Sequence, residues 1–302
     1  MHVVSIATPD FFRKVYMFVY VFGTVPEAPA DIKVSMSGPT SLLVSWLPPR
    51  RAHGRLTGYI LYKRTVEGGR EPEKQQIPAH KTQFEATELR VGLVYEFWAT
   101  ALTEAGEGKR TATARGTASG ATSIPAAIAS FGQRILVRRR GSVTLPCVAV
   151  GQPQPKRKWL GPGETAVTSN EHLSVESNGS LVLADVQRRQ SGNYTCVVSN
   201  KASAGSDDRI TYTVKVLVAP AAPKLQVAAT GASFLQLTWS VSDPGGAAVR
   251  GFVLNFRTEA GEWEERALPR DAVTYRLEVI LLFLYKFSFS NGVEIGDPTS
   301  KY

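Results

Sequence analysis

One pattern constrains this chain more than any other. It is the run Cys147-Val-Ala-Val-Gly151-Gln-Pro153-Gln-Pro155-Lys-Arg-Lys-Trp159, answered downstream by Tyr194-Thr-Cys196. A strand carries Cys147, and Gly151 with Pro153 and Pro155 supplies a turn after it. The next strand then carries Trp159. A Tyr two residues before the second Cys places both side chains on one face, because side chains alternate along a strand. None of these residue types at this spacing makes a nucleophile, a general base or a metal cage.

The arrangement resembles the immunoglobulin signature: an inward Cys on one strand, a buried Trp on the next, and a tyrosine corner before the second Cys. That resemblance implies a bridge between Cys147 and Cys196, the only two cysteines of the chain, formed in an oxidising compartment. Two free buried thiols in a reducing compartment are the alternative. Gln190 departs from the intermediate-set pattern, where an Asp at this place pairs with an Arg of a neighbouring loop, so that ion pair is not expected here.

Flanking this centre are two units that resemble each other. Leu42, Val44 and Trp46 alternate on one strand, as do Tyr95, Phe97 and Ala99 on a later one, with Leu89 six residues before Tyr95. Leu235, Leu237 and Trp239 repeat the first set, and Tyr285, Phe287 and Phe289 the second. Phe252, Leu254 and Phe256 form a strand between them, and Gly58 to Lys63 reads as a strand apolar on both faces. A proline-flanked opening, a Trp on the second strand and a Leu six before a Tyr resemble the fibronectin type III pattern, which holds by packing alone. Gly106-Glu-Gly108 reads as a hairpin turn; with no Ser or Thr after Lys109 and no helix to follow, it is not a phosphate loop.

The expected fold class is therefore all-β, with three β-sandwich modules in tandem. The expected division is a fibronectin type III module over 25–119, an intermediate-set-like immunoglobulin module over 124–218, and a second type III module over 219–302 that stops before its last strand. A small-residue linker, Thr117 to Pro125, separates the first two. Residues 1–24 stay unassigned or signal-like, with an apolar run from Val15 to Phe22 too short to span a bilayer. The continuous apolar run Val279 to Leu284 breaks the parallel between the two type III modules.

Charge and modification add candidate sites. The formal net charge is +9, and the central module carries Arg138, Arg139 and Arg140, then Lys156, Arg157 and Lys158, then Arg188 and Arg189. The first two runs form a candidate polyanion patch; the plain alternative is solvated charge on outward positions. Sulfated glycans fit such a patch, and nucleic acid does not fit an oxidised extracellular module. Asn178-Gly-Ser180 and Asn193-Tyr-Thr195 are glycan acceptor sequences, although Asn178-Gly179 also suits a tight turn with both residues at positive φ. His2, His53, His80 and His172 are scattered without ligand spacing, and no Walker loop or nucleophile elbow occurs. The sequence points to no enzyme, metal or cofactor.

A single immunoglobulin module among type III modules resembles the Down syndrome cell adhesion molecule (Dscam) family. Pro29-Ala-Asp-Ile-Lys-Val34, Gly58-Tyr-Ile-Leu-Tyr-Lys-Arg64, Asn178-Gly-Ser-Leu-Val-Leu-Ala-Asp-Val186 and Trp239-Ser-Val-Ser-Asp-Pro-Gly-Gly246 are similar to its arthropod members. The resemblance implies a membrane-proximal piece of a plasma-membrane receptor, on the extracellular side, anchored by segments this chain does not contain. It implies homophilic adhesion between copies of the full-length receptor, with axon guidance and dendrite self-avoidance. A structural spacer and a secreted glycan-binding or immune recognition protein are the alternatives.

Overall fold

The computed structural model describes residues 24–67, 71–231, 233–257 and 262–278, together with the backbone of the short strands Val3–Val4, Met17–Phe18 and Lys286–Ser290. The described residues make three β-sandwiches in sequence order. The run Val279 to Leu284, Tyr285 and the side chains of Phe287 and Phe289 lie outside them, as do residues 1–23 apart from the two short strands.

In the first module, Pro29–Gly38, Ser41–Pro49 and Gln83–Ala86 form one sheet. Ala114–Thr117, Val94–Thr103, Leu56–Thr65 and Glu73–Pro78 form the other, and Gly106–Arg110 also pairs with Val94–Thr103. The period-2 alternation read from sequence becomes the core: Leu42, Val44, Trp46, Leu89, Tyr95, Phe97 and Ala99 are all buried. The hairpin turn falls at Glu104 and Ala105, with Gly106–Arg110 itself a strand, rather than at Gly106 to Gly108.

The strand that was apolar on both faces has a physical explanation. Tyr59 and Leu61 point into the core, where Tyr59 meets Trp46 edge-on at 5.5 Å. On the opposite face Tyr62 stacks on Trp98, ring centres 5.3 Å apart, under the cations of Lys74, Arg64 and Arg110. Beside this stack the buried Glu96 accepts from both Arg64 and Arg115, and the two guanidiniums hold its carboxyl below the usual carboxylate range. That outer face is a roofed second layer.

The central module pairs Ile124–Ile128 with Ala149–Gln152, and Val143–Leu145 with Leu181–Leu183 and Leu173–Val175. Facing them lie Arg134–Arg138, Asp208–Leu217, Gly192–Ser199 and Lys156–Leu160, in that order. The pairing of Arg134–Arg138 with Asp208–Leu217 is parallel, and the other pairs are antiparallel. The third module sets Lys224–Thr230, Phe234–Ser240 and Thr274–Glu278 against Glu264–Pro269, Gly251–Arg257 and Lys286–Ser290. Its Trp239 meets Phe252 edge-on at 5.7 Å, as Trp46 meets Tyr59 in the first module.

The segment read as a small-residue linker is tied at its start to the first module. Ala118 is buried, the Gly120 amide donates to the Pro39 carbonyl at 2.9 Å, and Ser119 Oγ approaches Met36 Sδ. Small residues allow this close run; Gly120, at φ +72, turns the chain where a side chain would meet Val91.

Candidate functional site

The pin of the central module is structural. Cys147 and Cys196 are bonded across the two sheets with Cα atoms 6.4 Å apart, and both are fully buried. In the chain-entropy account, a loop of 49 residues closed this way stabilises the module by about 4 kcal/mol. Trp159 is buried in the same core, its indole N–H donating to the Gly179 carbonyl at 3.0 Å. The Tyr194 hydroxyl donates to the Gln190 carbonyl at 2.9 Å, closing the tyrosine corner. Burial pushes the Tyr194 and Tyr212 phenols up, so neither is poised for proton transfer. Gln190 uses its side chain locally, its Oε1 accepting the Gln187 amide at 2.7 Å.

Both sequon asparagines are exposed. Asn178 sits in a turn in which the Gly179 amide donates to the Glu176 carbonyl at 2.8 Å, and Asn178 Oδ1 accepts the Ser180 amide at 2.7 Å. Of that pair only Gly179 has positive φ, at +86, so both-positive geometry is not what this turn adopts. The asparagine's own side chain shapes the turn instead. Asn193 Oδ1 accepts the Thr213 hydroxyl across the sheet at 3.0 Å. Of the histidines, His53 and His80 are exposed and His172 is half-buried beside Glu171 and Asp185; no group of three metal-binding side chains occurs among the described residues.

The basic runs separate in space. Lys156, Arg157 and Lys158 lie on the strand beside Gly192–Ser199, where the Arg157 stem covers Gly179 so closely that a Cβ there would lie 2.4 Å from Arg157 Cδ. Arg138, Arg139 and Arg140 lie elsewhere, on the turn that closes against Val186 and Leu217. They are joined by Arg188 and Arg189 of the short helix Arg188–Gln190, and all five line one cleft between the central and third modules. Sequence distance hid this: 50 positions part Arg138 from Arg188, and only the fold makes them neighbours.

The two junctions of the central module were not legible as sites. At the first, Lys33 Nζ donates to the carbonyls of Ile128 at 2.9 Å and Ser130 at 3.1 Å, and lies 5.3 Å from the centre of the Phe131 ring. At the second, the Val218 amide donates to Gly245 and the Ala221 amide to Asp243, each at 2.9 Å. Gly245, at φ +75, lets the backbones meet, since a Cβ there would lie 2.1 Å from the Val218 carbonyl oxygen. Arg188 pairs with Asp243 across the same junction, and this pair with the Gly245 amide holds the Asp243 carboxyl below its usual range.

Comparison with known proteins agrees with this architecture. The fibronectin type III domain family matches residues 27–117, and the immunoglobulin domain family residues 125–200. The cell adhesion molecule Dscam2 of Drosophila melanogaster is 36% identical over 289 residues, 94% of this chain. The chain belongs to the Dscam family. Human cell adhesion molecule DSCAML1 is 32% identical over 295 residues, 95% of the chain. The alignment covers 14% of each of these relatives, so the chain spans about a seventh of their length. Among solved structures, titin domains A168–A170 match 87% of this chain and 91% of theirs, at 17% identity and a TM-score of 0.41. The Dscam relatives are adhesion molecules, not enzymes, and no helix among the described residues of this chain is long and apolar enough to cross a membrane.

Proposed function

We propose that this chain is part of the extracellular stem of a plasma-membrane adhesion receptor that acts through protein partners, among them further copies of the full-length receptor. The observation that carries the reading is similarity to cell adhesion molecules running through all three modules in order. Axon guidance and dendrite self-avoidance are the cellular roles the reading extends to. The disulfide favours the extracellular side, and oligosaccharides on Asn178 and Asn193 suit their exposure.

The stem itself is a poor self-adhesive. Its inward residues are consumed by three cores, and the outward face of the central module is rich in Arg and Lys, so two copies meeting there repel. The test tethers residues 25–302 to beads at physiological salt, beside cells bearing the full-length receptor. Dispersed beads and clustered cells are expected. Self-specific clustering of the beads would move recognition onto this chain, and dispersed cells would overturn the adhesion reading.

A further inference from the structure

We propose that the cleft between the central and third modules binds a sulfated polysaccharide chain. The cleft holds about 1070 Å³ and is lined by Arg138, Arg139, Arg140, Arg188 and Arg189. Its floor is the apolar backbone run Leu217 to Ala219 with Ala221, and Asp243 is the one carboxylate in its lining. Five guanidiniums around one space repel each other, and a polyanion entering the space relieves that repulsion. Arginine rather than lysine fills every basic place, and its planar fork matches the paired oxygens of a sulfate or carboxylate. The apolar floor suits the C–H faces of pyranose rings.

The fold builds this arrangement. The Arg140 amide donates to the Val186 carbonyl and the Arg139 amide to Leu217, which holds the 138–140 turn against the residues that lead into Arg188. Arg139 Nε also reaches Gln187 Oε1 at 3.2 Å, fixing the direction of its side chain. Asp243 is then an internal competitor: its carboxylate occupies Arg188 where a ligand sulfate would sit. An anionic chain entering the cleft takes over Arg188 and releases Asp243, which couples binding to the angle between the two modules. The extracellular setting proposed above makes such a glycan available; the binding itself does not depend on it.

The experiment measures binding of a heparin dodecasaccharide to the whole chain by calorimetry at 0.15 M salt. Arms with unsulfated hyaluronan and with phosphatidylserine vesicles run beside it. Substitution of Arg139→Ser, Arg140→Asn and Arg189→Ser together should weaken binding at least tenfold; Asn tolerates the φ of +65 found at position 140. Asp243→Asn should strengthen it severalfold, since the amide keeps the acceptor for Gly245 while releasing Arg188. Lys156→Ser with Lys158→Ser should change it less than twofold. Equal losses in the two basic variants would mean diffuse attraction by net charge and would overturn the site, as would weaker binding by Asp243→Asn. Absence of dodecasaccharide binding, or equal binding to hyaluronan or vesicles, would overturn the sulfated-glycan assignment.

Discussion

The two ends of the central module meet their neighbours through different physics. At the first junction a half-buried ammonium, Lys33, caps two carbonyls of the next module beneath an aromatic ring, and the strand Pro29–Gly38 packs directly on Ile124–Ile128 and Ala149–Gln152. At the second, one backbone hydrogen bond, from the Val218 amide to Gly245, and an exposed ion pair span the boundary and leave a wide cleft beside them. Charge-assisted bonds to carbonyls away from solvent change little with ionic strength, whereas an exposed pair is screened within a Debye length of about 8 Å at physiological salt. The first junction is therefore built to hold one geometry. The second is built so that ions and ligands adjust it.

The comparison breaks most severely at Gly245. Gly245→Val forces a β-branched residue to positive φ and drives its Cβ into the Val218 carbonyl, which should cost roughly 3 kcal/mol. Hydrogen exchange should show the Val218 and Ala221 amides losing protection while the first junction keeps its own. Unchanged protection at both amides would mean that the glycine is not what lets the modules meet. A smaller effect is expected at the other end. Lys33→Met keeps the apolar stem but removes the ammonium, and should loosen the first junction by about 2 kcal/mol. Spin labels on the first and central modules should report a broader distance distribution in this variant, and a narrow one in the unaltered protein at low and high salt alike. Narrow distances in the variant would assign the junction to strand packing alone.

Much of the fold was legible because period-2 alternation and the Cys, Trp and Tyr spacing are local. Leu42, Val44 and Trp46, and again Tyr95, Phe97 and Ala99, are buried where alternation put them. The bridge could be read because both cysteines stand in the spacing that resembles the immunoglobulin signature. The junctions could not, since Lys33 is one lysine among many until Ile128 and Ser130 are brought to it. Asp243 and Gly245 stood in the noticed run Trp239 to Gly246, but as marks of kinship rather than as contacts. The basic runs misled in one respect: nearness in sequence grouped Arg138 to Arg140 with Lys156 to Lys158, whereas folding groups them with Arg188 and Arg189. Long-range position is what hydrophobic pattern does not encode.

The smallest expected effect sharpens the contrast. Asp243→Asn removes the ion pair but keeps an acceptor for the Gly245 amide, so the third module should stay folded and docked. What should vanish is the response of the second junction to salt and acid. The Arg188 guanidinium and the Gly245 amide depress the Asp243 pKa, so the group's contribution is fully present above its unfolded value, about 4, and is lost as pH falls through the lower folded value. The unaltered junction should accordingly keep its mean inter-module distance from neutral pH down to about pH 5 and open only in stronger acid. Raising salt from 0.05 to 1 M, roughly 14 Å to 3 Å of Debye length, should widen that distance in the unaltered protein and leave the variant flat. The first junction, measured in the same samples, serves as the internal reference, because the acceptors of Lys33 are neutral backbone carbonyls. A salt response that survives Asp243→Asn would place the sensitivity in the repulsion among the five arginines rather than in the pair that spans the cleft.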